Sequence, residues 1–312
     1  MKFIVRKHAK KAFLILTASV STLCASLVMA VEQTGAETQA DDYRQSIEAW
    51  RTRRHEGLAR SDGWLTLVGL EWLKEGENRI GSGAENDIRL SGGPEFWGSV
   101  NLQGDKLHFV SGSDQVTIGG EVLQQAELIP DTRGESTLVA SGSVSFYVIF
   151  RESYALRVKD SQAPARLNFK GVENYPVDEA WRINGRFERA DAGAAIEISN
   201  VLGQISELPV FGTFEFDRDS KTHRLLAIGD IHSRNLWFIF ADRTSGRGTY
   251  GAGRFLYSDG MPADGRLLVD FNKAYNPPCA FNPYSTCPLP PPENRLDLKV
   301  TAGEKDYHPD AD

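Results

Sequence analysis

The chain has 312 residues, 41% of them hydrophobic, and carries 35 basic and 42 acidic side chains for a net charge of −7. This length is enough for one large or two modest domains with a buried core. An acidic surface repels phosphate backbones and anionic lipid, which argues against nucleic-acid binding. The 29 glycines and 14 prolines lie between short apolar runs, a composition typical of turns and strands.

Residues 1–30 have the pattern of an export signal. Five Lys or Arg and no acid precede the apolar run 12–30, which ends in small residues at Ala30. A membrane anchor is the alternative, but the run is short and interrupted by Ser and Thr. We therefore expect cleavage after Ala30, a periplasmic or secreted protein, and no stable membrane span. Loss of the signal leaves 30 basic against 42 acidic side chains, a net charge of −12.

Two cysteines remain after removal of the signal, Cys279 and Cys287. An even count in an oxidising compartment favours a disulfide between them, with two unpaired thiols as the alternative. Because the loop is short, chain entropy limits its stabilisation to about 2.5 kcal/mol. A zinc site would need further ligands, and neither a second Cys pair nor a nearby His pair supplies them.

One amphipathic helix is expected after the polar residues 31–40. Tyr43, Ile47, Trp50 and Leu58 recur near helical spacing, with Asp41 or Asp42 as the N-cap. The helix should span about fifteen residues and direct its arginines, Arg51, Arg53 and Arg54, outward.

The rest of the chain alternates in short apolar runs separated by turns, which predicts a mainly β fold. We expect two packed sandwich-like or barrel-like regions, residues 63–160 and 161–312, after a leader and helix at 31–62. Residues 217–221 read as a hairpin loop. Strand candidates before residue 172 are 66–73, 78–82, 87–91, 99–103, 106–110, 115–120, 121–128, 144–153, 154–160 and 165–171. Later candidates are 195–200, 212–217, 223–230, 236–242, 253–258, 265–271 and 294–300.

Residues 76–90, GENRIGSGAENDIRL, resemble the opening of a forkhead-associated (FHA) β-sandwich. In that family a strand leads into a glycine turn and then a strand that carries Asn-Asp-Ile. Phosphothreonine-binding members place Arg after the glycine and a Ser…His pair further on. Here Ser82 follows Gly81 and no Ser-x-x-His follows. The resemblance therefore implies a sandwich fold for this region and does not imply phosphopeptide binding.

The stretch from Gly63 to Glu304 resembles the bacterial domain-of-unknown-function 1684 family. The motifs that carry the resemblance are GWLTLVGLEWL at 63–73, DRTSG at 242–246, Tyr250 with Arg254-Phe255, and the tail DFN…NPPCAF…CPLPPPEN…AGE. The resemblance implies one unit spanning both β regions. It nominates residues of the tail without giving them roles.

The candidate functional residues gather in residues 249–304, around a loop rich in proline. Asp270 and Glu304 are candidates for acid or base chemistry. Arg254 is expected to pair with the carboxylate of Asp270 or of a ligand, and Asp270 and Asn272 share a face if both lie in a strand. The alternative is structural, an Arg–Asp pair with asparagine caps. The predicted binding residues are Tyr250, Arg254, Asn272, Asn276, Asn294 and Arg295.

Other motifs point away from common chemistries. Residues 246–251 match G-x-G-x-x-G, but the following residues alternate like a strand and provide no helix for a pyrophosphate. His223 and His232 flank one strand candidate at opposite ends, so we expect no metal. Serine-hydrolase and zinc-protease motifs are missing. We expect no cofactor.

Two functional hypotheses follow. The first is an exported binding or structural protein whose tail shapes a surface for an unknown small molecule or protein. The second is a hydrolase that uses Asp270 or Glu304 as acid or base on a small polar or anionic substrate. The lack of a recognisable nucleophile or metal set favours the first.

The exported protein should begin at Val31 and contain no free thiol, because the signal is removed and the two remaining cysteines oxidise. Intact-mass analysis of the secreted protein, with thiol titration under denaturing, non-reducing conditions, tests both points. Retention of residues 1–30 would contradict export, and two titratable thiols would contradict the disulfide.

Overall fold

The structure, a computed structural model, describes residues 38–229 and 232–308. The predicted signal peptide and its cleavage site lie outside these residues. The chain divides into two units, Met1–Trp50 and Arg51–Asp312. The described residues of the first unit are helical, and all the strands belong to the second.

A helix, α1, covers residues 38–59. This helix confirms the one predicted from the apolar spacing, and Ile47 and Leu58 are buried. The helix is longer than predicted, because no Gly or Pro interrupts residues 38–56. Asp41 and Asp42 therefore lie inside it and do not cap it. The outward orientation of Arg51 was also wrong, since Arg51 is buried and its Nη2 donates to the carbonyl of Tyr175 at 2.8 Å.

Ten strands follow a short 3-10 helix at Trp64–Thr66. In chain order they are β1 (Leu67–Trp72), β2 (Gly76–Gly81), β3 (Ile88–Arg89), β4 (Gly98–Gln103), β5 (Lys106–Ser111), β6 (Thr117–Ile118), β7 (Gln125–Glu127), β8 (Val139–Ser141), β9 (Val144–Arg151) and β10 (Ser153–Asp160).

These strands form two five-stranded sheets that pack as a sandwich. One has the order β1-β10-β9-β8-β6 and the other β3-β2-β4-β5-β7. Alternate residues of both sheets meet in one core around Trp97, Phe109 and Phe146, each of them fully buried. The predicted sandwich is thus present, and we call this part the sandwich lobe.

The second set begins after a helix α2 (Pro164–Leu167) and a 3-10 helix at Glu179–Trp181. Its strands are β11 (Arg182–Arg189), β12 (Ala195–Ser199), β13 (Ile205–Arg218), β14 (Lys221–Ile228), β15 (Trp237–Phe240), β16 (Arg254–Tyr257) and β17 (Arg266–Asp270). Three further 3-10 helices lie at Phe271–Lys273, Pro278–Ala280 and Pro292–Asn294.

The second set is a seven-stranded sheet curled into a half-barrel. Its order is β16-β15-β14-β13-β11-β17, with β12 paired to β13, and a bridge from Ser258 to Val269 brings the two ends together. The curled sheet encloses an aromatic core that includes Phe214, Phe238, Phe240 and Phe271. We call this part the barrel lobe. The mainly β fold class is confirmed.

The hairpin between β13 and β14 was predicted correctly. Arg218 pairs with Lys221, and the two residues between them, Asp219 and Ser220, have φ of 50° and 59°. Positive φ at both central positions defines the type I′ turn that suits the twist of paired strands.

Two strand predictions were wrong, and strands β8 and β11 were missed. Residues 164–167 form α2, because Pro164 at the first position presets a helical φ. Residues 294–300 form no strand, because Asn294 ends a 3-10 helix and the residues after it join the barrel only through isolated bonds, such as Leu296 N–H to the carbonyl of Ala241 at 2.8 Å. Strand β11 was missed, because its exposed charged positions outnumber its buried ones. The predicted domain boundaries stay predictions.

No helix within residues 38–229 and 232–308 is long and apolar enough to cross a membrane.

Phe214→Ala should lower the free energy of unfolding by about 3–5 kcal/mol, because the side chain is fully buried between other rings and leaves a cavity. Phe150→Ala is the control, since that ring is 37% exposed, and should cost about 1 kcal/mol or less. Urea denaturation measures both. Equal losses would contradict the placement of the barrel core.

Candidate functional site

Arg254, the first residue of β16, is a buried structural link. Only 1% of it is exposed. Its Nη1 donates to the carbonyls of Ala302 (2.5 Å) and Glu304 (3.2 Å), and its Nη2 to the carbonyl of Val300 (3.0 Å). The carboxylate beside it belongs to Asp242, at 3.4 Å, so the predicted pairing with Asp270 was wrong. Burial lowers the pKa of Arg254, and Asp242 opposes that shift.

Asp270 ends β17 and caps the next turn. Its Oδ1 accepts the backbone N–H of Asn272 at 3.0 Å and the side-chain amide of Asn272 at 2.9 Å. Asn272 also holds the backbone of Asp178, since its side-chain oxygen accepts that residue's N–H and its amide donates to that residue's carbonyl. The two residues do not share a strand face as predicted, because the chain leaves β17 at Asp270 in a 3-10 helix.

Glu304 and Asn276 form a second buried cluster with Arg54 of α1. Glu304 is 1% exposed. Its Oε1 accepts Arg54 Nε at 3.0 Å, and its Oε2 accepts the backbone N–H of Asn276 at 2.6 Å. Arg54 Nη2 also donates to the carbonyl of Asn276 at 2.9 Å. Glu304 is therefore held as an ion-paired carboxylate between α1 and the tail.

The other predicted binding residues serve separate parts of the barrel lobe. Asn294 exchanges hydrogen bonds with the backbone of Leu226 and donates to the carbonyl of Ile239, so it joins β14 to β15. Arg295 donates to the carbonyl of Pro290 at 3.3 Å. Tyr250 donates its hydroxyl to the carbonyl of Cys279 at 3.1 Å, and burial raises its pKa to about 12.

The eight predicted site residues therefore do not converge on one cavity. Arg254 and Glu304 meet at the last described segment, whereas Asn294 and Asp270 lie elsewhere. None of the eight lines either of the two cavities described below. Their contacts are those expected of structural residues, and a role in binding or catalysis stays a prediction.

Cys279 and Cys287 lie side by side and are free thiols in the structure. The N–H of Cys279 points to Cys287 Sγ at 3.2 Å, and the N–H of Cys287 points to Cys279 Sγ at 3.3 Å. The hydrogen bond from Cys287 lowers the pKa of Cys279, and the same contact raises that of Cys287. The geometry suits the predicted disulfide, which stays a prediction.

A groove of about 310 Å³ lies between the two lobes. The sandwich lobe contributes Trp64, Arg151 and Arg157, and α1 contributes Arg54. The barrel lobe contributes rings from β15 and β16 and the ring of Tyr275, which follows β17. The proline-rich loop, residues 277–292, contributes Thr286 and Cys287. We call this cavity the interlobe groove. Its volume is at the lower end for small-molecule sites.

Arg157, in β10, is the least expected residue of the groove. It is 4% exposed, and no carboxylate of the described residues forms an ion pair with it. Its Nη2 donates to Thr286 Oγ1 at 3.0 Å, and its Nη1 reaches the hydroxyl of Tyr147 only at 3.5 Å. A buried guanidinium without an anionic partner is costly unless something else balances the charge.

The other two arginines of the groove are neutralised. Arg54 pairs with Glu304, and Arg151 Nη2 pairs with Asp131 Oδ2 at 2.8 Å. No carboxylate is among the residues that line the groove. The groove therefore holds three guanidinium groups and one uncompensated positive charge, in a chain that is acidic as a whole.

A row of nearly parallel rings forms one wall. Trp237 and Tyr257 are cross-strand partners on β15 and β16, with ring planes 22° apart and centroids 6.4 Å apart. Tyr275 continues the row at 16° and 6.2 Å from Tyr257. Tyr257 is 46% exposed, and the guanidinium of Arg54 lies 4.7 Å from the Tyr275 centroid. We call Trp237, Tyr257 and Tyr275 the aromatic platform.

Two buried donors of the groove residues have no acceptor among the described residues. They are Arg157 Nε and the indole N–H of Trp237. Buried donors usually have a partner in the protein, in ordered water or in a ligand. Both belong to side chains that line the same groove.

A larger cavity of about 670 Å³ lies elsewhere, beside His55 and Tyr307. Its two lysines, Lys170 and Lys305, are matched in number by two acids, Glu173 and Asp306, and Lys305 pairs with Glu173 at 3.1 Å. The N–H of Val172 donates to His55 Nε2 at 3.2 Å, so this ring has a structural contact. The charge pattern thus favours the interlobe groove.

Sequence reasoning missed Arg54, Arg157 and the platform as a group. One signal was present, because Arg157 interrupts a run whose neighbours, Leu156 and Val158, are both buried. Its partner Thr286 is 129 residues away in the sequence, and strand periodicity does not predict contacts between residues so far apart in the chain.

Comparison with known proteins confirms the resemblance expected from the tail. Residues 167–305 match the model of the family described as "Protein of unknown function (DUF1684)". The opening motif at 63–73 lies outside the match. A search of curated proteins finds no match for this chain.

The similar solved structures include an uncharacterized protein from gene locus rrnAC0354 of Haloarcula marismortui. It is 30% identical over 45% of this chain and 78% of that chain, with a TM-score of 0.38. The FhaA FHA domain, solved with the intracellular domain of Rv3910, is 16% identical over 29% of this chain and 97% of that chain, with a TM-score of 0.21. The Rv0020c FHA structure is 18% identical over 30% of this chain and 92% of that chain, with a TM-score of 0.21.

Arg254→Lys should lower the free energy of unfolding by about 3 kcal/mol, because one ammonium does not reach all four acceptors of a buried guanidinium. Arg295→Lys is the matched control on an exposed side chain with one long hydrogen bond, and should cost about 1 kcal/mol or less. Urea denaturation compares them. A negligible loss for Arg254→Lys would remove this residue from the framework.

Proposed function

The chain belongs to the DUF1684 family of proteins of unknown function, and on that premise we propose that it is an exported protein that binds a small anionic molecule in the interlobe groove. The observation that carries the proposal is Arg157, a guanidinium that is 4% exposed and has no ion-pair partner among the described residues. An anion in the groove balances its charge.

Two further properties support binding at this place. Trp64 and Tyr257 both line the groove and are 38% and 46% exposed, more than core rings require. Apolar walls with a few polar groups are typical of small-molecule sites. Eight of the thirteen lining residues belong to segment 249–304, the part of the chain to which sequence analysis assigned the site.

Hydrolysis is less well supported than binding. Both candidate acid–base residues are almost fully buried, and neither lines the groove. Asp270 caps a turn, and Glu304 is paired with Arg54. A general base must lie within hydrogen-bond reach of the proton that it takes, and these contacts hold both carboxylates away from the groove.

Export and a Cys279–Cys287 disulfide belong to the same proposal. The basic and apolar pattern of residues 1–30 supports export. The reciprocal N–H to sulfur contacts at 3.2 Å and 3.3 Å support the disulfide, because they place the two thiols against each other. The bond would fix the loop that carries Thr286, the hydrogen-bond partner of Arg157.

Arg157→Met should abolish stabilisation by anions without destabilising the free protein. A ligand that binds only the folded state raises the melting temperature, whereas replacement of an unpaired buried charge by an apolar residue is neutral or stabilising. The measurement is thermal unfolding of the mature chain in chloride, with acetate, benzoate, sulfate or phosphate added at constant ionic strength.

Arg133→Met is the matched control, because Arg133 pairs with Asp105 on the surface and lies outside the groove. It should keep the anion response of the unaltered chain. Thr286→Val retains the charge and should weaken the response. The proposal fails if no anion of the panel raises the melting temperature, or if the rise survives in Arg157→Met.

A further inference from the structure

The charges of the interlobe groove limit the charge of its ligand, provided that the proposed function holds. Three guanidinium groups line the groove, and Glu304 and Asp131 neutralise two of them. One positive charge remains, on Arg157. A ligand with one negative charge balances it, whereas a second negative charge would be buried without a partner.

The donors beside Arg157 suit a carboxylate. Thr286 Oγ1 accepts Arg157 Nη2 at 3.0 Å, and its own hydroxyl hydrogen has no acceptor among the described residues. A carboxylate oxygen can accept from that hydroxyl while its charge lies against the guanidinium. A phosphate dianion would bring more acceptors and more charge than these groups match.

The aromatic platform adds a requirement for shape. Each ring of the platform lies within 22° of parallel to its neighbour, and Tyr257 in the middle is 46% exposed. The pairing of β15 with β16 holds Trp237 and Tyr257 side by side, so the platform is preformed. Flat rings stack on such a surface because offset stacking buries apolar area in a defined geometry.

We infer that the ligand of the interlobe groove is a planar monocarboxylate, with its carboxylate against Arg157 and Thr286 and its ring on the aromatic platform. Trp64, which lies with its ring centroid 5.6 Å from the Arg157 guanidinium, lines the same groove from the sandwich lobe. The groove volume of about 310 Å³ restricts the ligand to one or two rings.

The test is calorimetric titration of the mature chain with three probes at constant ionic strength. Benzoate is planar with one charge, cyclohexanecarboxylate has one charge on a puckered ring, and phthalate is planar with two charges. Benzoate should bind about tenfold more tightly than either of the others, the factor expected from one stacked ring.

Tyr257→Leu probes the platform without opening the core, because that ring is exposed. It should weaken benzoate about tenfold and leave cyclohexanecarboxylate nearly unchanged. Trp72→Leu is the matched control, since Trp72 is 39% exposed and lies outside the groove, and it should change neither affinity.

The outcomes separate this inference from the proposed function. Tighter binding of phthalate, equal binding of the two monoanions, or no effect of Tyr257→Leu would overturn the planar monocarboxylate. If any such binding is still lost in Arg157→Met, anion binding in the groove stands. If none of the three probes binds and the melting panel shows no response, both proposals fail.

Discussion

The guanidinium of Arg254 is the contact on which the tail of this protein depends. Buried beneath the end of β16, it gathers the carbonyls of Val300, Ala302 and Glu304 and the carboxylate of Asp242. Segment 300–304 belongs to no strand, so these bonds hold it, together with isolated backbone bonds, such as Glu304 N–H to the carbonyl of Ala274 at 2.8 Å. Because Arg254 fixes the backbone of Glu304, it also sets where the Glu304 carboxylate lies.

The Glu304 carboxylate connects the tail to the interlobe groove. Glu304 holds Arg54 of α1 and the backbone of Asn276, and Arg54 in turn covers the ring of Tyr275. One end of the aromatic platform is therefore positioned by an ion pair that ultimately rests on Arg254. Arg254 and Glu304, which sequence analysis proposed as site residues, thus support the residues that line the groove and do not line it themselves.

Two buried arginines illustrate how the surroundings decide the role of a side chain. Arg254 has four acceptors, one of them a carboxylate, and its charge is balanced within the protein. Arg157 has a hydroxyl at 3.0 Å, a distant second one at 3.5 Å, and no carboxylate. Burial of a charge is tolerated when it is paired and hydrogen-bonded, and otherwise it indicates a missing partner. This difference separates a structural residue from a candidate binding residue.

Local patterns were sufficient for the sheet-rich class, α1 and the Asp219–Ser220 turn, because strand alternation, helical spacing and turn chemistry are properties of neighbouring residues. They were not sufficient for α2 or β11. In α2 a single proline outweighed the alternation, and in β11 cross-strand pairing held residues that are mostly exposed.

By itself the sequence determined that residues 249–304 carry an unusual density of specific polar groups, and that two cysteines lie in one short loop. Only the tertiary structure decided that Asp242 is the acid beside Arg254, and that Arg157 meets Thr286 from 129 residues away. The physical reason is that periodicity reports which side of an element faces inward. The partner across the interior depends on how separate elements pack, and that packing determines which buried charges are balanced.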